Sequence, residues 1–326
     1  MRSLGAAVLF AALALGCARS AAPPTARFGH AGNHDVALEH AGRERSYILR
    51  LPPDFASRGP LPVLLAFHGG GGNASGFQKY ADLDERADRL GYALVYPDGT
   101  GRLGRRLLTW NAGACCGSAM QQDADDVGFA LAVLADLAGE LELDRTRVYA
   151  TGHSNGAMMA YRLAADAASR IAAIVPVAGA DMTLEFAPSA AVPVLHVHSV
   201  DDPRALYAGG PGPRFPFTTQ RVQHRAVEAG LARWRERDGC AGPGREVDSR
   251  NAGPHAAVLV DFGPCADGSE VAVWKLRGSG HGWPGSESVL PERIMGPNTD
   301  VISAADEVFR FVARFSRPDA PPLTSR

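Results

Sequence analysis

The 326-residue sequence lacks two features that mark large classes of protein. It has no excess of charge, because 33 Lys and Arg against 35 Asp and Glu leave a net charge of −2. A surface for nucleic acid or for an anionic membrane is therefore not indicated. No internal repeat or long low-complexity block is present either. The remaining composition, 46% hydrophobic and 21% charged, is typical of a globular chain, which we interpret as one domain.

Cysteine is scarce, with five residues in the whole chain. Cys115 and Cys116 are adjacent and have no nearby His or second Cys pair, which makes a poor zinc site, and no metal is predicted. Loss of Cys17 with an N-terminal signal leaves four cysteines, which allow three disulfide connectivities. We favour a Cys240–Cys265 bridge, because both lie in turn-rich segments that flank one sparse stretch.

The only marked apolar run is N-terminal. Arg2 precedes an apolar segment over residues 4–15, which is too short and wrongly flanked for a spanning helix and predicts a signal peptide over 1–22. Two interpretations stay open. Leu15-Gly16-Cys17 resembles a bacterial lipobox, with Ala14 where Leu is usual, and makes Cys17 a lipidation candidate; ordinary cleavage near Ala22 is the alternative. Both predict export, to the periplasm or outside the cell, with membrane contact only through a lipid anchor.

Short apolar runs alternate with helix-length amphipathic segments along the rest of the chain. Several of these runs are continuous and rich in Val, Ile and Leu, as in strands covered on both faces. The alternation predicts an α/β fold with a mostly parallel central sheet and helices on both faces. Predicted strands span 47–51, 63–67, 92–96, 148–151, 172–177, 194–198 and 271–276; predicted helices span 83–90, 125–141, 154–167, 222–237 and 303–315; 209–216 and 248–254 are predicted loops.

Ser154 lies between a predicted strand and a predicted helix, in Gly152-His153-Ser154-Asn155-Gly156. This is the G-x-S-x-G pattern of a nucleophile elbow, in which a strained turn lifts the hydroxyl above the sheet. The backbone N–H of Asn155 then points at a developing oxyanion. The alternative is an ordinary helix N-cap serine.

A glycine-rich loop follows the strand over 63–67. His68 is followed by four glycines, and in lipases and esterases such a loop supplies further oxyanion N–H groups, here those of Gly69 and Gly70. Gly69, Gly71 and Ala74, with Asp98 after the next strand, also match a loose dinucleotide fingerprint. That alternative leaves Ser154 and a later histidine unexplained.

A serine nucleophile needs a base and an acid, which in this fold class follow it in the order Ser, Asp or Glu, His. Asp201 and Asp202 come just after the strand over 194–198. His281 lies in a glycine-rich loop after the strand over 271–276. We therefore predict His281 as the base and one of the two aspartates as the acid that orients it.

Three aromatic residues are candidates for substrate binding. Trp110 and Trp283 lie in glycine-rich, loop-like surroundings, which favours a wall that faces the substrate over a place in the core. His153, beside the predicted nucleophile, is the third candidate.

Seven motifs in order resemble the LpqC-like polyhydroxybutyrate depolymerase and feruloyl esterase family, related to the family 1 carbohydrate esterases. They are LAFHGGGGNASGF, GYALVYPDGTG, WNAGACCG, DDVGFALAVL, RVYATGHSNGAMMAYRLA, PVLHVHSVDDP and GSGHGWPG. The family's His-Gly-Thr-x-Asp stretch corresponds to residues 198–202, and its Tyr-x-Gly-Gly to 207–210, a register that favours Asp202 as the acid. Ser199-Val200 stands where the family has Gly-Thr, so Asp201 stays open as the alternative acid.

The resemblance implies an α/β-hydrolase fold, no cofactor, and hydrolysis of feruloyl or hydroxybutyrate-type esters through an acyl-enzyme on Ser154, His281 and Asp202. Acyl transfer and general short-chain ester hydrolysis are alternatives on the same scaffold. A non-catalytic binding lipoprotein and a nicotinamide-dependent oxidoreductase are more distant ones. The chain then divides into the signal peptide, a linker over 23–45, a catalytic domain over 46–316 and a flexible tail over 317–326.

Overall fold

The structure is a computed structural model that describes residues 27–214, 221–288 and 290–324. The predicted signal peptide and Cys17 lie outside these residues. The strands are β1 Gly32–His40, β2 Arg43–Leu51, β3 Leu61–Phe67, β4 Ala93–Pro97, β5 Leu143–His153, β6 Ala173–Val177, β7 Val194–Ser199, β8 Gly210–Pro211, β9 Gln223–His224, β10 Arg245–Ala252, β11 His255–Asp261 and β12 Val271–Arg277. The helices are α1 Ala74–Ala81, α2 Asp84–Leu90, α3 Gly117–Gln121, α4 Asp126–Ala138, α5 Asn155–Asp166, α6 Val227–Arg237, α7 Glu292–Met295 and α8 Ala304–Val312.

Ten of the described strands form one sheet in the order β1-β2-β4-β3-β5-β6-β7-β12-β11-β10. Its centre, from β4 to β12, is parallel. Antiparallel pairs add β2 and β1 at one edge and β11 and β10 at the other. The predicted α/β class with a mostly parallel sheet is therefore confirmed.

Both faces of the sheet are covered, which explains the continuous apolar runs. Every residue of β3 is buried. Val63, Leu65 and Phe67 of this strand pack on the side of α4, α5 and α6, whereas Leu64 and Ala66 pack on the side of α1, α2 and α8. Because successive strand side chains alternate between faces, a strand with helices on both sides has no position that favours a polar residue.

The parallel strands all end at one edge of the sheet. The segments after β3, β5, β7 and β12 begin at His68, Ser154, Val200 and Gly278, so the predicted reactive residues converge at this carboxyl edge, where open α/β sheets bind ligands.

Three predictions about the periphery are wrong. Residues 248–254, predicted as a loop, belong to the β10–β11 hairpin, and the predicted linker over 23–45 contains β1. Strands β1 and β10 lie at the two edges of the sheet and are half-exposed, so they lack the apolar runs that identify buried strands. The predicted flexible tail packs on the domain as far as it is described: Ala320 and Leu323 are buried, and Arg317 donates to the carbonyl of Ile171.

No helix in the described ranges has the length and apolar character needed to cross a bilayer.

Candidate active site

Ser154 occupies a tight turn between β5 and α5. Its backbone has φ 56° and ψ −119°, a conformation that side-chain-bearing residues rarely adopt. The turn requires Gly156, because a Cβ there would lie 2.1 Å from the carbonyl oxygen of Phe67. Gly152 is equally constrained, since its Cβ would lie 2.5 Å from the backbone of Gly156. These close approaches press the turn against β3 and raise the serine hydroxyl above the sheet.

The structure brings Ser154, His281 and Asp202 together in one hydrogen-bonded series. Ser154 Oγ lies 2.8 Å from His281 Nε2, and His281 Nδ1 lies 2.7 Å from Asp202 Oδ2. The carboxylate oxygen can only accept, so Nδ1 carries a hydrogen and the Nε2 lone pair faces the serine hydroxyl. In this tautomer the imidazole can take the serine proton.

Asp202 is buried, accepts three hydrogen bonds and lies beside a fourth polar group, the ring of His198. Its Oδ1 accepts from the backbone N–H groups of Arg204 and Ala205, at 2.7 and 2.9 Å. Its Oδ2 lies 2.7 Å from His281 Nδ1 and 3.2 Å from His198 Nε2. Burial alone raises the pKa of this carboxyl, but the interactions with His281 and His198 outweigh burial and hold the pKa well below its usual range.

Asp201, the alternative acid, has a different environment. It is exposed, and its Oδ2 accepts from the backbone N–H of Gly278. Of the two neighbouring carboxylates, Asp202 is the one bonded to His281.

The glycine loop after β3 lies against the start of α5. A Cβ on Gly69 would lie 3.6 Å from Ser154 Cβ, and one on Gly70 would lie 3.5 Å from Asn155 Cβ. In the described part of the chain, the N–H groups of Gly69, Gly70 and Asn155 donate to no protein acceptor. Three donors are thus available beside the serine hydroxyl, as an oxyanion site requires.

His68 holds this loop in place. Its Nε2 accepts from the N–H of Gly99 at 3.0 Å, and its Nδ1 donates to the carbonyl of Gly69 at 2.8 Å. Burial lowers the pKa of His68 to about 4, so the ring stays neutral and keeps this tautomer.

The side chain of Asn155 has a structural contribution that the sequence analysis missed. Its Oδ1 accepts from Trp110 N at 2.7 Å, and its Nδ2 donates to Trp110 O at 3.1 Å. This two-point contact joins the segment around Trp110 to the helix that begins beside Ser154. The two residues are 45 positions apart, and no local sequence pattern predicts the contact.

The prediction that Trp110 and Trp283 form a substrate-facing wall is wrong. Trp110 is 0% exposed, packs edge-on against Phe67 and donates from Nε1 to the carbonyl of His68. Trp283 is 1% exposed and packs edge-on against Phe77. Both indoles are core residues, because burying their large apolar area outweighs the tendency of glycine-rich segments to lie at the surface.

His153 is close to the reactive groups but is not open to a substrate. Its ring is buried, 4.9 Å from the ring of His281 and 5.6 Å from that of Tyr80. Burial lowers its pKa well below the usual range, so it contributes a neutral ring beside the proposed base.

The four cysteines of the described residues form two pairs. Cys240 and Cys265 are joined by a disulfide, the pairing favoured from the sequence, which ties the end of α6 to the segment after β11. Cys115 and Cys116 form a vicinal disulfide that packs with Met158 and Met182 against α5.

Comparison with known proteins agrees with this architecture. The family model described as "Esterase PHB depolymerase" matches residues 45–215. NocK of Nocardia uniformis subsp. tsuyamanensis, provisionally named an esterase, is 29% identical over 83% of this chain and 80% of its own length. Feruloyl esterase B of Piromyces equi is 26% identical over 73% of this chain, which spans only 42% of that protein. The solved acetyl xylan esterase from Aspergillus awamori shares the fold, with a TM-score of 0.55 at 12% identity over 77% of this chain and 94% of its own.

Fold and relatives together define the class of protein: a carboxylic ester hydrolase with the α/β-hydrolase fold. Within that class the chain belongs to the polyhydroxybutyrate depolymerase esterase family. The resemblance seen in the sequence is confirmed.

Proposed function

We propose that the protein is an exported serine esterase that cleaves feruloyl esters of plant polysaccharide through an acyl-enzyme. The observation that carries the proposal is the series Ser154–His281–Asp202, at 2.8 and 2.7 Å, beside three backbone N–H groups that have no acceptor among the described residues.

The proposed reaction has two half-reactions, acylation of the serine and hydrolysis of the acyl-enzyme, and the same groups act in both. Ser154 Oγ attacks the ester carbonyl while its proton moves to His281 Nε2. The N–H groups of Asn155, Gly69 and Gly70 stabilise the oxyanion, and one such donor typically contributes about 3 kcal/mol to lowering the barrier. His281 then gives the proton to the departing alcohol. In the second half it takes a proton from the water that attacks the acyl carbon, and returns it to Ser154 Oγ as the acyl–oxygen bond breaks and the acid leaves. Asp202 stabilises the imidazolium in both halves.

Relatives support the feruloyl substrate, since one of them carries that name.

A polyester oligomer is the second candidate, and the family model favours it. Turnover of methyl ferulate and of a hydroxybutyrate trimer by the same preparation separates the two. A preference for the ferulate supports the proposal, and a preference for the trimer replaces it. Added alcohol that diverts the acyl group from water to a new ester would identify the acyltransferase alternative.

The mechanism is tested with Ser154→Ala and a fluorophosphonate probe. We expect the wild type to be labelled once, at Ser154, and the variant to lose both labelling and turnover while keeping its unfolding curve. Ser57→Ala is the matched control, because Ser57 is exposed and its hydroxyl donates to the carbonyl of Asp54, its one hydrogen-bond partner among the described residues. Turnover retained in a folded Ser154→Ala protein contradicts the assignment.

Export is tested separately. Expression of the full chain and mass measurement of the mature N-terminus distinguish cleavage near Ala22 from lipid-modified Cys17. A full-length cytoplasmic product contradicts export without affecting the esterase assignment.

A further inference from the structure

A buried series of polar side chains continues from Asp202 on the side away from His281. His198 Nε2 lies 3.2 Å from Asp202 Oδ2 and 2.8 Å from the carbonyl oxygen of Ala205. His198 Nδ1 lies 2.9 Å from His196 Nε2, and His196 Nδ1 lies 3.0 Å from the hydroxyl of Tyr161. The two histidines are two residues apart on β7 and so share one face of the sheet.

The chemistry of the two ends sets the direction of every hydrogen bond in this series. A carboxylate and a carbonyl can only accept, so His198 Nε2 carries a hydrogen. At the other end, burial raises the pKa of the Tyr161 phenol well above its usual range, so the hydroxyl keeps its proton. Within the described residues its sole hydrogen-bond partner is His196 Nδ1, to which it therefore donates.

The position of the hydrogen on His196 follows from the hydrogen positions at the two ends of the series. Burial and the neighbouring His198 ring lower the pKa of His196 well below the usual range, so His196 is neutral and has one N–H. With Nδ1 accepting from Tyr161, that hydrogen is on Nε2 and is donated to His198 Nδ1. Three donors thus point the same way, from Tyr161 through both histidines to the Nε2 hydrogen of His198, which lies between the carbonyl of Ala205 and Asp202 Oδ2.

We propose that His198 is a second positioning residue for Asp202, and that Tyr161 and His196 hold it in the tautomer that places the Nε2 hydrogen between the carbonyl of Ala205 and the carboxylate. The proposal rests on the proposed function, since it assigns His198 a part in the same reaction. Tyr161 lies on α5, the helix that begins after Ser154, so the series also links the nucleophile's helix to the loop that carries the acid.

His198 and His281 both lie beside Asp202 Oδ2, and this arrangement affects the pH dependence of kcat/KM. Asp202 Oδ2 accepts from His281 and also faces the Nε2 hydrogen of His198, which is shared with the carbonyl of Ala205, so His198 offsets part of the charge that would otherwise stabilise protonated His281. Without the His198 donor, His281 holds its proton more strongly, and the acidic limb of kcat/KM moves to higher pH. The other titratable side chains that face this series from neighbouring elements are His153, His224, Tyr207 and Asp181.

Tyr161→Phe tests the proposal at a distance, because this residue touches neither the acid nor a substrate. It removes one hydroxyl and almost no volume. We expect the midpoint of the acidic limb to rise by about half a pH unit and kcat/KM to fall about threefold, the size of one weakened hydrogen bond. Tyr149→Phe is the matched control, since its buried hydroxyl donates to the carbonyl of Phe315, and its profile should equal that of the wild type.

Two substitutions of His198 separate positioning from packing. The amide nitrogen of Gln reaches the position of Nε2, so His198→Gln retains the donor and should keep kcat/KM within about fivefold of the wild type. His198→Leu fills similar space without a donor and should lose about a hundredfold. Equal losses in the two variants, or an unchanged pH profile in Tyr161→Phe, overturn the proposal.

A measurement that needs no turnover keeps this proposal separate from the proposed function. Nitrogen-15 NMR of the histidine rings in the folded Ser154→Ala protein reports the tautomers directly. We expect hydrogens on Nε2 of both His196 and His198. A hydrogen on Nδ1 of His198 overturns the proposal even if the enzyme proves to be an esterase, and the expected tautomers support it even if no tested ester is cleaved.

Discussion

Asp202→Asn is the substitution whose outcome the site geometry defines most closely. The amide oxygen replaces Oδ1, because that position accepts from the N–H groups of Arg204 and Ala205. The amide nitrogen then replaces Oδ2 and directs its hydrogens at the ring nitrogens of His281 and His198. Two donors that face each other in a buried site cannot both keep their hydrogens.

His281 relieves this conflict by moving its hydrogen to Nε2. The lone pair of Nδ1 then accepts from the amide, and an N–H faces Ser154 Oγ where the base should be. Loss of the correct tautomer in a serine–histidine–aspartate site lowers kcat by about 10⁴-fold, or about 5 kcal/mol of barrier. We expect a loss of this order for hydrolysis of p-nitrophenyl butyrate.

The same substitution changes stability with a defined pH dependence. Because its pKa is depressed in the folded protein, Asp202 contributes stability above the unfolded pKa of about 3.9, and this contribution is lost as the pH falls toward the folded value. The Asn variant should therefore be less stable than the wild type in urea at pH 7, and the difference should shrink in strong acid.

Asp201→Asn is the control for both measurements. Its side chain is exposed and accepts from Gly278 N, so we expect kcat to stay within about twofold of the wild type. The reasoning is refuted if Asp202→Asn keeps more than a tenth of the wild-type kcat, or if Asp201→Asn shows the larger loss.

Three further substitutions test other features. Gly156→Ala places a Cβ 2.1 Å from the carbonyl oxygen of Phe67 and should lower the free energy of unfolding by about 3 kcal/mol in urea, whereas Gly59→Ala, with open space around it, should change it by less than about 0.5 kcal/mol. Cys240→Ser opens a disulfide of sequence separation 25 and should cost about 3 kcal/mol in the same assay; an unchanged midpoint would show that the bridge does not form. Burial raises the pKa of Asp238 to about 6, so its contribution to stability is complete below about pH 4 and is lost as the pH rises through 6; Asp238→Asn should remove this fall from the unfolding profile, and an identical profile would contradict the assignment.

The central sheet could be predicted because its signals are local. The strands that became β2 to β7 and β12 are apolar runs, and a run buried on both faces is visible without knowledge of its neighbours. The edge strands β1 and β10 could not be predicted in the same way. Their side chains are mostly in contact with water, and only the partner strand provides the hydrogen bonds that make them strands.

The turn around Ser154 could also be predicted from the sequence. Its glycines, its serine and the change from strand to helix occupy a few consecutive residues, so backbone sterics within that stretch restrict what it can form. The family register favoured Asp202 over Asp201, but the residues themselves did not distinguish the two, because adjacent carboxylates have the same chemistry and only the path of the chain after β7 orients one of them toward His281.

By itself, then, the sequence determined the α/β class, the strained turn and the set of residue types able to cleave an ester, since each depends on neighbours within a few positions. The family resemblance favoured Asp202 as the acid, and the tertiary structure brings this carboxylate to His281. Tertiary structure alone decided that Trp110 and Trp283 belong to the core, and that Tyr161, His196 and His198 form one series behind the acid. Such contacts join residues brought together by packing, and their strength depends on burial, which no short stretch of sequence specifies.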